Sequence, residues 1–120
     1  MQKRLAGWAC LAIGIGIIVG AFGAHKMQEI LNAKQLVTFS TAVRYWFYNS
    51  IGMLGLSALS HIKFSKSSVI TIALGTFIFC FSLWLNAILG IRVFGMIAPV
   101  GGLTMVVGWF LASHSILRSE

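Results

Sequence analysis

Long apolar stretches, free or nearly free of charged residues, dominate the pattern of the chain. They cover residues 5–24, 36–60, 69–89 and 96–117, and Arg44 interrupts the second. The stretches lack the apolar–polar alternation of a membrane β-strand, and each has the length of about 20 residues that a helix needs to cross the hydrocarbon layer. The pattern predicts an all-α integral membrane protein with one transmembrane domain of four helices.

Short polar links join the predicted spans, over residues 25–35, 61–68 and 90–95. Connections this short place consecutive helices side by side and in opposite directions, so we expect an antiparallel four-helix bundle. The first link places Met27 and Ile30 on one side of a short helix and charges on the other, which favours an interfacial helix lying on the bilayer.

The distribution of basic residues predicts the orientation. In the antiparallel arrangement, the side with both termini carries more Lys and Arg residues than the opposite side, which has Lys26, Lys34 and Arg92. The positive-inside rule then places both termini in the cytoplasm. Lys3 and Arg4 ahead of an apolar run also suit a cleaved signal peptide, but that run is longer than a usual signal core.

Composition narrows the function classes. Apolar residues make up 58% of the 120 residues and charged residues only 9%, against about a quarter in a soluble domain. The net charge of +7 suits contact with anionic lipids, and the basic residues are scattered over both sides, which argues against nucleic-acid binding. Neither carboxylate, Glu29 or Glu120, lies in a predicted span, so a proton-coupled antiporter lacks its ionisable carrier.

Small residues recur at helical spacing in two of the predicted spans. Such stripes let two helix backbones approach closely, and the alternative interpretation is that they line a path for a solute. We predict helix-packing roles for Gly16, Gly20, Gly101 and Gly108.

Arg44 is the most informative residue, because a guanidinium at mid-membrane costs about 2.5–3.5 kcal/mol. Three interpretations stay open. Arg44 extends to the interface beside an aromatic belt of Tyr45, Trp46 and Tyr48; or it points inward to Asn86, Glu29 or the last carbonyls of the first helix; or it binds a ligand.

The predicted topology brings several polar residues to the non-cytoplasmic side. Many donors with few acceptors suit a phosphate or carboxylate, so we predict a patch that binds a lipid headgroup or a partner protein. Cys10 and Cys80 have no metal-ligand spacing, and neither His61 nor His114 has an acidic partner nearby in sequence, so we expect no metal, no cofactor and no catalytic set. The predicted lipid- or partner-binding residues are His25, Arg44, Tyr45, Asn86 and Arg92.

Three blocks carry a family resemblance: GAFGAH at 20–25, TFSTAVRYWFY at 38–48 and FSLWLNAILGIRVFGMIAPVGG at 81–102. Together they resemble the YgdD/YwdK-like family of small bacterial membrane proteins, a domain of unknown function. The resemblance implies a four-span protein of the bacterial inner (plasma) membrane and brings no activity or cofactor. Asn49 stands where relatives often have histidine.

The sequence therefore favours a membrane protein that is not an enzyme. The leading hypothesis is a helix-packing module whose polar patch binds lipids, anionic ones included, or a membrane protein partner, with a homo-oligomer as a further option. The alternative is an ion or small-solute channel or uniporter formed by oligomers, with Asn86 and the glycine stripes lining its path.

Overall fold

All regular secondary structure is helical in the part of the chain that the computed structural model describes, residues 2–59, 62 and 64–118. The all-α prediction is therefore confirmed for those residues. Ser60 at the end of the second predicted span, His61, Lys63 and Glu120 lie outside them. The helices are α1 (Gln2–Ile30), α2 (Ala33–Ser57), α3 (Lys66–Leu89) and α4 (Arg92–Arg118).

The helices begin and end at capping residues rather than at the edges of the apolar runs. Before α2, the side chain of Asn32 accepts from the Gln35 N–H, and the Gln35 side chain accepts from the Asn32 N–H, each at 2.8 Å. Ser65 caps the start of α3, and Gly90, with a φ of 68°, ends it. As a result, α2 lies a few residues ahead of the predicted span 36–60.

The segment after the first apolar run continues α1. The helix is an α-helix to Phe22, a π-helix over Gly23–Met27 and an α-helix again over Gln28–Ile30. The separate interfacial helix expected over residues 25–35 is wrong, because the backbone absorbs the extra residue of this stretch in a wider π turn and breaks only at Leu31.

Each helix packs against the next along the chain, in a body whose Cα atoms extend over 51 × 26 × 16 Å. Gln2 at the start of α1 donates to the carbonyl of Leu59 beyond the end of α2, at 2.6 Å. Near the other end of α1, Gly23 lies against the ring of Phe39, which is close to the start of α2. These two contacts join α1 and α2 near both of their ends.

The backbones of α3 and α4 come into direct contact at glycines. A Cβ atom on Gly108 would lie 2.7 Å from the backbone nitrogen of Ile72, and one on Gly75 would lie 2.9 Å from the carbonyl oxygen of Gly101. Gly101 in turn meets the backbone of Phe79. A side chain at any of these glycines would push the two helices apart, since a backbone atom cannot turn away as a side chain can.

Many large apolar side chains are exposed on the surface of the protein. Ile18, Leu103 and Phe110 are each at least two-thirds exposed, whereas the polar residues Asn49 and Ser50 are almost completely buried. Contiguous apolar surface of this kind is typical of contact with lipid.

Three helices, α1, α3 and α4, are long and apolar enough to cross a membrane by length and composition. α2 is not among them because polar residues such as Arg44 and Asn49 lower its hydropathy. Three of the four predicted spans are thus confirmed as span-capable, and the fourth stays a prediction.

Candidate functional site

α2 has a buried face and an exposed face, and both carry polar residues. Trp46, which the belt interpretation grouped with Tyr45 and Tyr48, is buried, and its Nε1–H donates to the carbonyl of Ala12 at 2.7 Å. The two tyrosines are exposed on the other side of α2, together with Arg44. The belt therefore contains the tyrosines without Trp46.

Arg44 points outward from the helix bundle. Its Nη2 donates to Thr41 Oγ1 at 3.3 Å, and the Thr41 hydroxyl donates to the carbonyl of Val37 at 2.8 Å. Because Thr41 lies one turn nearer the start of α2, the guanidinium is directed along the helix towards its N-terminal end, as helical side chains generally are. The inward interpretation, with Asn86, Glu29 or α1 carbonyls as partners, is therefore wrong.

The exposed tyrosines form one wall of a groove. The Tyr45 ring packs edge-on against Tyr48, with ring centroids 5.5 Å apart, and against Phe79 of α3, at 5.1 Å. α2 and α4 both pack on α3 and leave an open groove of about 630 Å³ between them. The lining residues are Tyr45, Tyr48, Asn49, Phe79, Gly102, Met105, Val106, Trp109 and Phe110.

Asn49 ties the two sides of this α2–α4 groove together. Its Nδ2 donates to the carbonyl of Tyr45 at 2.7 Å and contacts the sulfur of Met105 at 3.1 Å, while its Oδ1 accepts from Trp109 Nε1 at 2.7 Å. With both ends of the amide bonded, Asn49 is a structural link between α2 and α4. Asn49 thus has no free polar group left among the described contacts.

The other predicted patch residues lie at one end of the helices. His25 is exposed in the π-helical segment of α1, and Arg92 is exposed at the start of α4. Asn86 is half-buried, and its Nδ2 donates to the carbonyl of Ile91 at 3.0 Å across the turn after α3. Asn86 therefore holds the α3–α4 turn in place.

Arg44 lies apart from these end residues. Phe39 of α2, Gly23 of α1 and Trp84 of α3 lie at about the same level along the helix axes. The Phe39 ring contacts Gly23, and its centroid is 6.3 Å from that of the Trp84 ring. His25 and Asn86 come just after Gly23 and Trp84, whereas Arg44 lies beyond Phe39 in the opposite direction. At the helical rise, about 10 Å along the axes separates Arg44 from His25 and Asn86. The predicted patch is thus divided into an end group and the Arg44–Tyr45 surface.

Sequence reasoning missed most of the groove. It named Tyr45 and placed Tyr48 in a belt, but it assigned no role to Trp109 or Phe79. The helical spacing of Gly102, Val106 and Trp109 on α4 is the signal that marks them as one face. Nothing in the sequence indicated that this face lies opposite the tyrosines.

The predicted packing glycines of α1 lie against α2. A Cβ atom on Gly16 would come within 2.8 Å of Trp46 Cδ1 and 3.0 Å of the Phe47 ring, whereas one on Gly20 would make an ordinary contact of 3.6 Å with Val43. Gly16 therefore leaves room for two aromatic rings, and Gly20 does not sit at a comparably tight place.

These features define a helical membrane protein, and comparison with known proteins gives its family. The family model described as "Protein of unknown function (DUF423)" matches residues 19–102. A UPF0382 membrane protein of Haemophilus influenzae is 32% identical over 97% of this chain and 90% of its own length. The UPF0382 inner membrane protein YgdD of Escherichia coli is 32% identical over 92% of this chain and 87% of its own. No solved structure matches.

The chain belongs to this family of membrane proteins of unknown function, as the resemblance implied. The predicted location, the bacterial inner membrane, agrees with the name of the relative YgdD and with three span-capable helices. The family supplies no activity, so any function has to be argued from the residues of this chain.

Proposed function

We propose that the protein is a non-enzymatic, antiparallel four-helix membrane module that binds the headgroup of an anionic lipid through Arg44. The observation that carries the proposal is an exposed guanidinium near the middle of α2 whose described hydrogen bond is to the Thr41 hydroxyl. A guanidinium has five N–H donors in a fork that fits a phosphate, so most of its capacity is available to a ligand.

The proposal includes α2 as the fourth membrane span. α2 has 25 residues, about 37 Å of helix against a hydrocarbon layer of about 30 Å, and it packs between α1 and α3. With α2 across the membrane, Arg44 lies well inside the bilayer, where a charge costs about 2.5–3.5 kcal/mol. The direction of its side chain towards the N-terminal end of α2 brings the guanidinium closer to the headgroups.

The charge of the chain favours an external anion as the partner. The sequence has two carboxylates, Glu29 and Glu120. Glu29 is near the end of α1, four residues beyond His25, and is therefore about 15 Å from Arg44 along the helix axes. A lipid phosphate is the anion that every membrane supplies, and an arginine inside a bilayer meets it when the side chain extends towards the surface and the bilayer thins locally. The same lack of carboxylates supports a role other than acid–base catalysis.

Native mass spectrometry tests the proposal. The protein is released from bilayers that contain equal amounts of phosphatidylglycerol and phosphatidylcholine, and the bound lipids are weighed. We expect Arg44→Gln to lower phosphatidylglycerol occupancy about tenfold, since a hydrogen bond to a charged group contributes about 1.5–3 kcal/mol. Arg44→Lys, which keeps the charge and loses the fork, should give an intermediate value.

The matched control is Arg118→Gln, which removes the same charge from an exposed arginine in the last turn of α4. It should bind phosphatidylglycerol as the unaltered protein does. Equal occupancy in the Arg44→Gln and Arg118→Gln variants would show that net charge, not Arg44, attracts the lipid, and the proposal would be rejected.

A further inference from the structure

We propose that the α2–α4 groove holds one acyl chain of the phospholipid whose phosphate Arg44 binds. The inference rests on the proposed function and adds the second half of the ligand. The groove, about 630 Å³ in volume, falls in the range of roughly 300–1,000 Å³ typical of ligand pockets. Its walls are mainly aromatic and aliphatic, and Tyr48, Val106 and Phe110 at its edge are 60%, 47% and 72% exposed.

Arg44 and the groove are adjacent on α2. Tyr48 follows Arg44 by one helical turn, so their side chains are neighbours on one face, and Tyr45 comes next to Arg44 in the chain. The guanidinium is directed towards the start of α2, as its bond to Thr41 shows, and the groove continues from Tyr45 to Asn49 in the opposite direction. The guanidinium and the apolar groove therefore lie one after the other along α2.

This order, the cation first and the apolar groove next, matches the order of phosphate and acyl chain within a phospholipid. Along α4 the groove runs from Gly102 to Phe110, about 12 Å at the helical rise. An extended acyl segment fits that length beside Phe79, Val106 and Trp109. None of the described residues that line the groove carries an ionised group, so an acyl chain meets no unpaired charge from them.

Charge complementarity favours a lipid over a second copy of this chain. A helix of another copy could fill the groove, but it would have to bring an anion to Arg44 at the same time. Glu29 is displaced from Arg44 by about 15 Å along the helix axes, and Glu120 comes after the last residue of α4. A phospholipid carries the anion and the apolar chain in one molecule.

Two lipids with the same headgroup separate the groove from the headgroup site. Dioleoyl phosphatidylglycerol has long chains, and dihexanoyl phosphatidylglycerol has chains too short to fill the groove. Native mass spectrometry measures the binding of each to the detergent-solubilised full chain. Gly102→Leu fills the groove, because a Cβ atom there meets the Phe79 ring at an ordinary 3.6 Å. Gly14→Leu is the matched control, since no atom of the described residues lies within 4 Å of its Cβ position.

We expect Gly102→Leu to weaken binding of the dioleoyl lipid about fivefold, the ratio that about 1 kcal/mol of lost packing produces, and to leave the dihexanoyl lipid unaffected. Gly14→Leu should change neither, and Arg44→Gln should weaken both. Val106→Trp, at a half-exposed position of the same wall, repeats the test if circular dichroism shows that Gly102→Leu does not fold.

Each of the following three results would overturn one of the two proposals, the groove or the headgroup site. Equal binding of the dioleoyl lipid by the Gly102→Leu or Val106→Trp variant and by Gly14→Leu rejects the groove and leaves the headgroup site intact. Loss of a dimer in the groove-filling variants, with lipid binding unchanged, identifies a second copy as the occupant and also rejects the groove proposal. Unchanged binding of both lipids by Arg44→Gln rejects the headgroup site itself.

Discussion

The indole N–H of Trp109 donates a 2.7 Å hydrogen bond to Oδ1 of Asn49 and thereby joins α4 to α2 across the groove. Asn49 is almost completely buried, so this bond is shielded from water and from lipid headgroups. We expect a double-mutant cycle of Trp109→Phe and Asn49→Ala to give a coupling free energy of about 0.5–1.5 kcal/mol. The measurement is unfolding of the purified protein in mixed micelles of increasing SDS content.

The control cycle pairs Asn49→Ala with Trp84→Phe. Trp84 is also buried, but within the described residues its Nε1–H has no hydrogen-bond partner. This second cycle should give no coupling within error. Similar values in the two cycles would mean that the Trp109–Asn49 bond contributes nothing specific to stability.

Replacing glycine by alanine should change the free energy of unfolding in opposite directions at Gly108 and at Gly14. Gly108→Ala places a methyl group 2.7 Å from the backbone nitrogen of Ile72, so we expect a loss of about 1–3 kcal/mol in the free energy of unfolding. Gly14→Ala meets no atom within 4 Å in the part of the chain that the structure describes, and it should gain about 0.5–1 kcal/mol in the free energy of unfolding from helix propensity. SDS unfolding of both variants checks the prediction, and a loss at Gly14 equal to that at Gly108 would contradict it.

Substitutions of Asn86 and of Arg44 should have different effects, the first on the stability of the protein and the second on lipid binding. Asn86→Ala removes the bond from Nδ2 to the Ile91 carbonyl, so we expect a loss of about 1 kcal/mol in the free energy of unfolding and unchanged phosphatidylglycerol occupancy. Arg44→Gln should show the reverse, because its side chain is exposed. Parallel unfolding and native mass spectrometry measure both quantities. A drop in lipid occupancy in the Asn86→Ala variant would contradict this prediction and would mean that Asn86 is part of the binding site.

Cysteine labelling tests whether α2 crosses the membrane. Lys34→Cys and Ala58→Cys place exposed thiols at the two ends of α2, in a chain from which Cys10 has been removed and in which Cys80 is buried. A maleimide that cannot cross the membrane should label Cys at 34 in intact cells and Cys at 58 only after permeabilisation, if both termini are cytoplasmic. Labelling of both ends from one side would remove α2 as a span.

The helices were predictable from the sequence because their signal is local. Residues 69–89 and 96–117 are apolar over a length that only a buried or membrane helix explains, and the structure places α3 and α4 there. The errors are at the ends and in the link 25–35, where capping by Asn32 and the π turn of α1 decide the path of the backbone. These local hydrogen bonds leave little trace in hydropathy.

The candidate site was only partly predictable. Arg44 can be recognised from the sequence because it is a charged residue within an apolar run. The direction of its side chain, however, depends on which face of α2 the neighbouring helices cover. Tyr45 and Trp46 illustrate the difference, since they are adjacent in sequence, yet one is exposed and the other is buried against Ala12. Sequence spacing gives the faces of a helix without saying which face is inside.

The sequence by itself determined that this chain is a helical membrane protein with few carboxylates and one arginine inside an apolar stretch, because hydropathy and charge are properties of single residues summed over a window. The tertiary structure decided that Arg44 faces outward, that Asn86 holds a turn and that Tyr45 and Trp109 line the same groove. Those facts depend on contacts between residues far apart in the chain, and packing of the helices against one another sets them.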